Sequence, residues 1–376
     1  MTSYLEEFVK VKPLMDYLIA LSTLEVISGS TKNRLKILFL TISLVFYWYS
    51  ICIHVKNSIG LQININFMWT FLLWIMFNDY VVIMILNVFK KNKFHQLMQN
   101  IQKMFEEEEE DEELADISKN NLNFSMKVFF FVNRWEKRLA CSVVIIGSTY
   151  FRFNQDYGLI MDFPYIHSNN VLWRESQYIL QSIYFGLMTY TILTVNMGII
   201  FLGLQVIAQL NILNDYIKVT NEKIKTDPNF FRKIIIRHCS VIENVNLLSE
   251  IISKTSFLQL FASCVVFLFG FSFIMKSFST FVNYSMLLAG VMLSLHICII
   301  GEFIRYKTDE LSETLYLTNW HELTLKDKKT FLIILGMAQR EYGLKAAGMY
   351  DVNLYTFVQI IKIAFSYCAV LYSLSK

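Results

Sequence analysis

The sequence predicts an all-α polytopic membrane protein with seven transmembrane helices, its N-terminus cytoplasmic, its C-terminus extracellular, and a short cytoplasmic helix before the last span. Three observations carry that prediction. Of the 376 residues, 55% are hydrophobic and only 17% charged, whereas a water-soluble domain has about a quarter of its residues charged. Apolar runs recur at lengths that cross a ~30 Å hydrocarbon core at about 1.5 Å per residue. With 3 prolines and 13 glycines in the whole chain, loop-rich secreted folds, collagen-like repeats and disordered scaffolds are excluded.

The elements follow in chain order. Residues 1–36 form a cytoplasmic N-terminus. Met1 to Pro13 mixes charged and apolar residues and is not expected to act as a signal peptide. Leu14 to Ile27 is amphipathic, carries Asp16 and Glu25, and is too short to cross; it is expected to lie at the inner interface or to re-enter. Residues 37–304 hold six spans: Ile37 to Val55, Ile65 to Phe89, Leu139 to Phe153, Ile179 to Ala208, Phe257 to Met275 and Tyr284 to Ile304. The third is short, with Arg134, Glu136, Lys137 and Arg138 just before it and Val128 to Val132 extending it on the near side. Lys and Arg near helix ends can snorkel to water. Residues 305–350 are a cytoplasmic segment, and 351–376 contain the last span, Asp351 to Leu374.

Orientation comes from the basic residues. The N-terminal segment and the second, fourth and sixth connections carry them in groups, such as Lys32, Arg34 and Lys36, or Lys90, Lys91 and Lys93. The first connection has Lys56 and the third only Arg152 and Arg174. By the positive-inside rule the N-terminus is cytoplasmic, and an odd number of spans places the C-terminus outside. That is the reverse of a G-protein-coupled receptor. The net charge of +3 hides an unbroken acidic run, Glu106 to Glu113, expected to be a solvated loop of the second cytoplasmic connection. The basic surplus is a matter of topology, and no nucleic-acid partner is expected.

Catalytic signatures are missing: there is no Gly-x-Ser-x-Gly elbow, His-Glu-x-x-His, phosphate loop or dinucleotide fingerprint. The six histidines are scattered, and the six cysteines fall in spans or the fourth connection at no metal-ligand spacing. The chain is read as a non-enzyme needing no cofactor and no metal. Pro13, Pro164 and Pro228 all lie outside the spans, unlike the kinking prolines of G-protein-coupled receptors. No inverted repeat of the transporter kind is visible.

The C-terminal third is the most distinctive part. Tyr316 and Trp320 lead into Lys328 to Arg340, then Ala346-Ala347-Gly348, the last span, and a tail reading Ser366-Tyr367-Cys368-Ala369-Val370-Leu371-Tyr372-Ser373-Leu374. This arrangement resembles the insect odorant receptors, a seven-span ion channel family of inverted topology. The related gustatory receptors end in Thr-Tyr, apolar residues and Gln-Phe, whereas here Ser366-Tyr367 leads to Ser373-Leu374. The short second cytoplasmic loop looks like that of a ligand-tuning subunit, the family's shared co-receptor having a much longer one. The resemblance implies a heterotetramer with co-receptor subunits around a central, poorly selective cation pore. It makes the helix from Lys328 to Arg340 part of a cytoplasmic subunit anchor, with Trp320, Phe331, Leu332 and Leu335 as its apolar contacts. Independently, Phe331 to Met337 is apolar but about half a span long, so it needs a partner surface or burial in its own subunit.

On the last span Gln359, Lys362, Ser366 and Ser373 share one face, bordered by Ile363, Val370 and Leu374. A polar stripe on an apolar span points at water or protein. Carried over from the family's tail, Val370 and Leu374 are gate-level residues and Ser373 a polar pore position; apolar constrictions close by dewetting. Lys362 is expected to snorkel into a wide inner vestibule or pair across an interface; the alternative is that it lowers cation flux on this subunit's side of a mixed pore.

The ligand is expected in the outer halves of spans two to six. Phe67, Phe71 and Trp74 share a face of the second. Val144, Gly147, Ser148 and Phe151 form an i, i+3, i+4, i+7 stripe on the third. Tyr178, Ser182 and Phe185 line up on the fourth, and Phe269 and Phe273 on the fifth. Together they suit a small apolar volatile, with aromatic or heteroaromatic compounds favoured; ordinary helix packing is the alternative. By resemblance, Asp162-Phe163-Pro164-Tyr165 is a lid. The function expected is an odorant-gated, non-selective cation channel subunit in the plasma membrane of olfactory sensory neurons. A gustatory channel, a secondary transporter and a G-protein-coupled receptor are the alternatives.

Overall fold

The computed structural model describes residues 3–25, 31–59, 65–107, 109, 111–154, 158–161, 171–221, 228–276 and 281–374. Ten α-helices account for most of them: α1 (Ser3–Ser22), α2 (Thr31–Ser58), α3 (Ile65–Phe89), α4 (Lys91–Glu106), α5 (Glu112–Phe153), α6 (Val171–Thr220), α7 (Pro228–Lys276), α8 (Phe281–Tyr316), α9 (Leu325–Ala338) and α10 (Leu354–Leu374). A two-stranded hairpin, β1 (Lys345–Ala346) and β2 (Tyr350–Asp351), pairs antiparallel with Lys345 opposite Asp351.

All seven expected spans fall on helices: α2, α3, α5, α6, α7, α8 and α10. Asn33–Ser58, Asn66–Phe89, Val171–Thr220 and Phe231–Met275 are long and apolar enough to cross a membrane, and Leu354–Val370 is a shorter apolar stretch. Helix α6, at 50 residues, is about 75 Å long at 1.5 Å per residue, more than twice the ~30 Å hydrocarbon thickness. The spans are thus the membrane parts of helices that continue into the cytoplasm. Helix α5 includes the expected extension of the third span and carries it back to Glu112. Helix α8 runs on to Tyr316, twelve residues past the expected end of the sixth span.

Solvent dictates two packing regimes. The largest core reaches from the spans into the cytoplasmic extensions, where Phe94, Leu97, Ile101 and Phe105 of α4 join Leu122 and Phe129 of α5, Leu213 and Ile217 of α6, and Leu248 and Ile252 of α7. The buried residues of α4 recur at i, i+3, i+4 and i+7, the stripe of a helix with one wet face, and burying each side chain there contributes roughly 1.5–3 kcal/mol. Within the membrane the same residue types are also found facing outward: Phe39, Ile42, Val45 and Phe46 of α2 are exposed on the bundle's outer surface, where lipid is as apolar as protein.

Helix α1 packs on the body of the chain through both halves. Its Ser22 and Leu18 pack on Gly198 in the middle of α6, where a β-carbon would lie 3.4 Å from Ser22 Oγ, and its Phe8 stacks on Phe105 at 4.3 Å.

Two expectations need correction. The last helix starts at Leu354, not Asp351, because Tyr350 and Asp351 are held in β2 by a turn in which Ala347 and Gly348 have φ of 49° and 74°. Asn353 then caps α10, its Oδ1 accepting from the Thr356 N–H at 2.8 Å. The acidic run is not simply a solvated loop. Glu109 pairs with Arg237 and its side chain is only 10% exposed. Asp111 is the N-cap of α5, accepting from the Glu113 N–H, and Glu112 and Glu113 occupy the first turn, where negative charge complements the helix dipole.

Candidate ligand cavity and pore face

An aromatic cluster in the outer half of the bundle is built around Trp69 of α3. Its ring stacks on Phe273 of α7 at 5.9 Å and meets Phe151 of α5 edge-on at 5.7 Å. Leu72, Leu73, Ile160 and Val266 complete the buried part, with Phe185, Phe269 and Met76 packed against it. Such pairs contribute about 0.5–1.5 kcal/mol beyond area burial, so the cluster is a rigid wall.

Beneath it lies a cavity of ≈190 Å³. Trp69, Leu72, Leu73 and Met76 line one side, Val143 and Ala140 of α5 another, and Phe185, Met188, Ile192 and Leu193 of α6 a third. Val266 of α7 and Leu288, Met292 and Leu293 of α8 close it. The polar lining is sparse: Thr189, Asn196 and Glu136. The Thr189 hydroxyl donates to the Phe185 carbonyl at 2.9 Å, and Asn196 Oδ1 accepts from Gln259 Nε2 at 3.1 Å. An apolar cavity of about 150 Å³ is enough to hold benzene.

Hydrogen bonds and an ion pair join the outer helix ends. Asn66 Nδ2 donates to the Leu159 carbonyl at 2.8 Å, and the Ile160 N–H donates to Gln181 Oε1 at 3.0 Å. Arg152 makes a two-pronged pair with Glu175 at 2.6 and 2.5 Å and lies over the Tyr178 ring at 5.1 Å.

Of the expected ligand residues, the structure gathers Phe151, Phe185, Phe269 and Phe273 in this cluster. Gly147 faces Phe185, a β-carbon there lying 3.4 Å from the ring, and Val144 approaches Gly186 of α6. The Ser148 hydroxyl is buried with no hydrogen-bond partner among the described residues. Tyr178 belongs to the outer rim with Arg152, and Ser182 donates to the Tyr178 carbonyl at 2.8 Å. Phe67, Phe71 and Trp74 stack along the neighbouring face of α3, with Trp74 Nε1 donating to Cys52 Sγ of α2 at 3.3 Å. None of these three lines the cavity. The residues that sequence reasoning missed are Trp69, Leu72, Leu73 and Met76, whose i, i+3, i+4, i+7 spacing is as readable as that of the Phe67 face. The expected lid, Asp162 to Tyr165, lies outside the described residues.

A larger cavity of ≈460 Å³ opens at the cytoplasmic end, lined by Lys103, Lys233, Arg237, Glu107, Glu109 and Gln209 among others. Its charged walls do not suit an apolar volatile.

On α10, Phe357, Ala364 and Cys368 are buried against α7 and α8; Cys368 Sγ donates to the Leu268 carbonyl at 3.1 Å. The opposite face carries the predicted polar stripe. Lys362, Ser366, Val370 and Ser373 are exposed and Gln359 half-buried; the side chain of Leu374 lies outside the described residues. Of the expected anchor residues, Trp320 stacks on Phe331 at 5.9 Å, and Phe331 and Leu335 are buried in the chain's own core. Leu332 is 51% exposed.

With this geometry in place, the comparisons decide the family. The profile described as 7tm Odorant receptor matches residues 65–365. The chain belongs to the odorant receptor family. It is 32% identical over 81 residues to Odorant receptor Or1 of Anopheles gambiae, a match spanning 21% of this chain and 19% of that relative. The fold is that of the insect olfactory receptor OR5 from Machilis hrabei. In complex with eugenol, OR5 superposes with a TM-score of 0.75 at 12% identity over 99% of this chain and 100% of that one. A second OR5 structure gives 0.71 at 13% identity over 98% and 99%. Residues 65–365 contain every wall of the Trp69 cavity, so the matched region of this odorant receptor is also the region that builds its candidate site.

Proposed function

We propose that this odorant receptor is a ligand-tuning subunit of an odorant-gated, non-selective cation channel, assembled with co-receptor subunits in the plasma membrane of olfactory neurons. The carrying observation is the ≈190 Å³ aromatic-walled cavity around Trp69 with only three polar side chains in its lining. Its size and apolar walls suit a molecule of single-ring dimensions, and eugenol, the ligand of the OR5 complex, is of that kind. Gly147, Phe151, Phe185, Phe269 and Phe273 are the expected residues that touch the cavity or its wall. Trp69 joins them.

Ligand in this cavity wedges α3, α5 and α6 against α7. Helix α7 holds α10 through the Cys368 thiol and through Phe267, whose ring meets Phe357 edge-on at 6.4 Å. A ligand that fits one arrangement of α7 better than another thereby favours one arrangement of α10. The exposed face of α10, with Gln359, Lys362, Ser366, Val370 and Ser373, is the pore side. Leu332 and the 66% exposed Ile333 form the outward part of the subunit anchor, Phe331 and Leu335 supporting it from within.

The test is heterologous expression with and without co-receptor, recording currents across an odour panel under G-protein block. Currents that need both subunits and persist under the block are expected. Responses lost under the block would contradict a directly gated channel.

A further inference from the structure

Where α3 ends and α4 begins, the chain concentrates positive charge at the depth of the inner membrane surface. Lys90 follows the last residue of the second span, and Lys254 precedes by three residues the expected start of the fifth. Lys90 is half-buried, and its Nζ donates to the Ile251 carbonyl of α7 at 2.7 Å. Burial, together with Lys254 and Lys93 beside it, pushes its pKa down to about 8. Lys93 pairs with Glu250 and Lys91 with Glu25, while Lys254 has no carboxylate partner among the described residues. Four ammonium groups thus meet two carboxylates.

Immediately on the membrane side the same helices present exposed apolar residues: Val82 and Phe89 on α3, and Phe257 and Phe261 on α7. Phe257 and Phe261 stand three and seven positions after Lys254, on one helix face. Apolar surface capped by unneutralised lysines is complementary to an anionic phospholipid, since each lysine near a negatively charged leaflet contributes about 1 kcal/mol.

We propose that the α3–α4 corner and the facing turn of α7 form an anionic-phospholipid site on the inner leaflet. Lys90 and Lys254 hold the phosphate, Lys91 and Lys93 flank it, and the acyl chains lie along Phe89, Phe257 and Phe261. The site is independent of the odorant cavity and stands or falls separately from it.

The experiment uses the full-length chain in phosphatidylcholine nanodiscs containing phosphatidylserine, with retained lipid counted by native mass spectrometry. Phosphatidylserine is expected to be retained over phosphatidylcholine, and Lys90→Gln/Lys254→Gln to weaken that retention on the order of tenfold. Lys90→Arg/Lys254→Arg should bind as the parent chain does, and the remote pair Lys119→Gln/Lys127→Gln should change nothing. Lys254→Gln alone, at an exposed position, carries the test if the double variant does not fold. Equal retention of the two lipids overturns the proposal, as does equal loss in the remote pair or displacement of the lipid by inorganic phosphate.

Discussion

Gly147 is the residue through which α5 approaches α6 at the cavity wall. A β-carbon there would lie 3.4 Å from the Phe185 ring, ordinary contact, so Gly147→Ala is expected to leave expression and potency nearly unchanged. Gly147→Val pushes its methyl groups into Phe185, and the best agonists should become smaller; a panel graded by ligand volume, compared as dose–response curves, reads that shift. His238 of α7 is fully buried in the cytoplasmic half, with neither ring nitrogen partnered among the described residues. Burial pushes its pKa from 6.5 down to about 4. Between those values the unfolded chain takes up a proton that the folded chain does not. Stability therefore rises with pH through the window and falls on acidification from about 6.5 to about 4, by up to roughly 1.4 kcal/mol per pH unit. His238→Phe should flatten this dependence and raise the thermal midpoint below pH 6, measured on detergent-solubilised protein; an unchanged slope would show that other groups set it.

Helix α8 meets the entry to α10 backbone to backbone. A β-carbon at Gly301 would overlap the Val352 carbonyl oxygen, and a carbonyl cannot swing aside as a side-chain tip can. Gly301→Ala is expected to cost at least the 1–3 kcal/mol typical of overpacking and to lower surface expression sharply; expression equal to the parent chain would mean this contact opens without cost. On α10 itself Lys362 is exposed on the polar face and carries the same sign as the cations that the proposed channel would pass. Lys362→Gln should raise single-channel conductance or calcium permeability, and unchanged currents would assign the ammonium to a vestibule away from the ion path. Elements differ in how far they could be read. The span positions were legible because lipid demands an unbroken apolar run, and the α10 stripe because four polar residues at helical spacing have only one face to share. The cytoplasmic lengths of α6 and α7 were not, since beyond the membrane a helix needs only a stripe, and Lys218 to Arg237 reads equally as loop. Trp69 was legible in principle, but α3 has aromatic residues on two adjacent faces, and only packing decides which meets α5 and α7.

At the scale of the molecule, the chain is a long-helix bundle with a water-exposed half held by its own core and a membrane half with apolar residues both on its outer surface and in buried clusters such as that around Trp69. Its outer aromatic cavity of ≈190 Å³ and its exposed polar helix face are on opposite sides of α7. The proposed function joins them, with α7 carrying the ligand's preference to α10. Orientation was legible from charge alone, because lysines and arginines stay on the cytoplasmic side, and that sorting by itself separates this fold from receptors of opposite topology. The assembly was legible only through the family resemblance, because exposed apolar residues such as Leu332 and Ile333 do not by themselves say what they meet. The most direct measurement is the dose–response of odorant-evoked current in cells expressing the chain with co-receptor, comparing the parent chain with Trp69→Phe and Phe151→Ala at matched surface expression. The proposed site predicts a shift of about tenfold or more in the potency of the best agonist for at least one of them, with the maximal current in a calcium-free bath otherwise preserved. Superimposable curves for all three would contradict it.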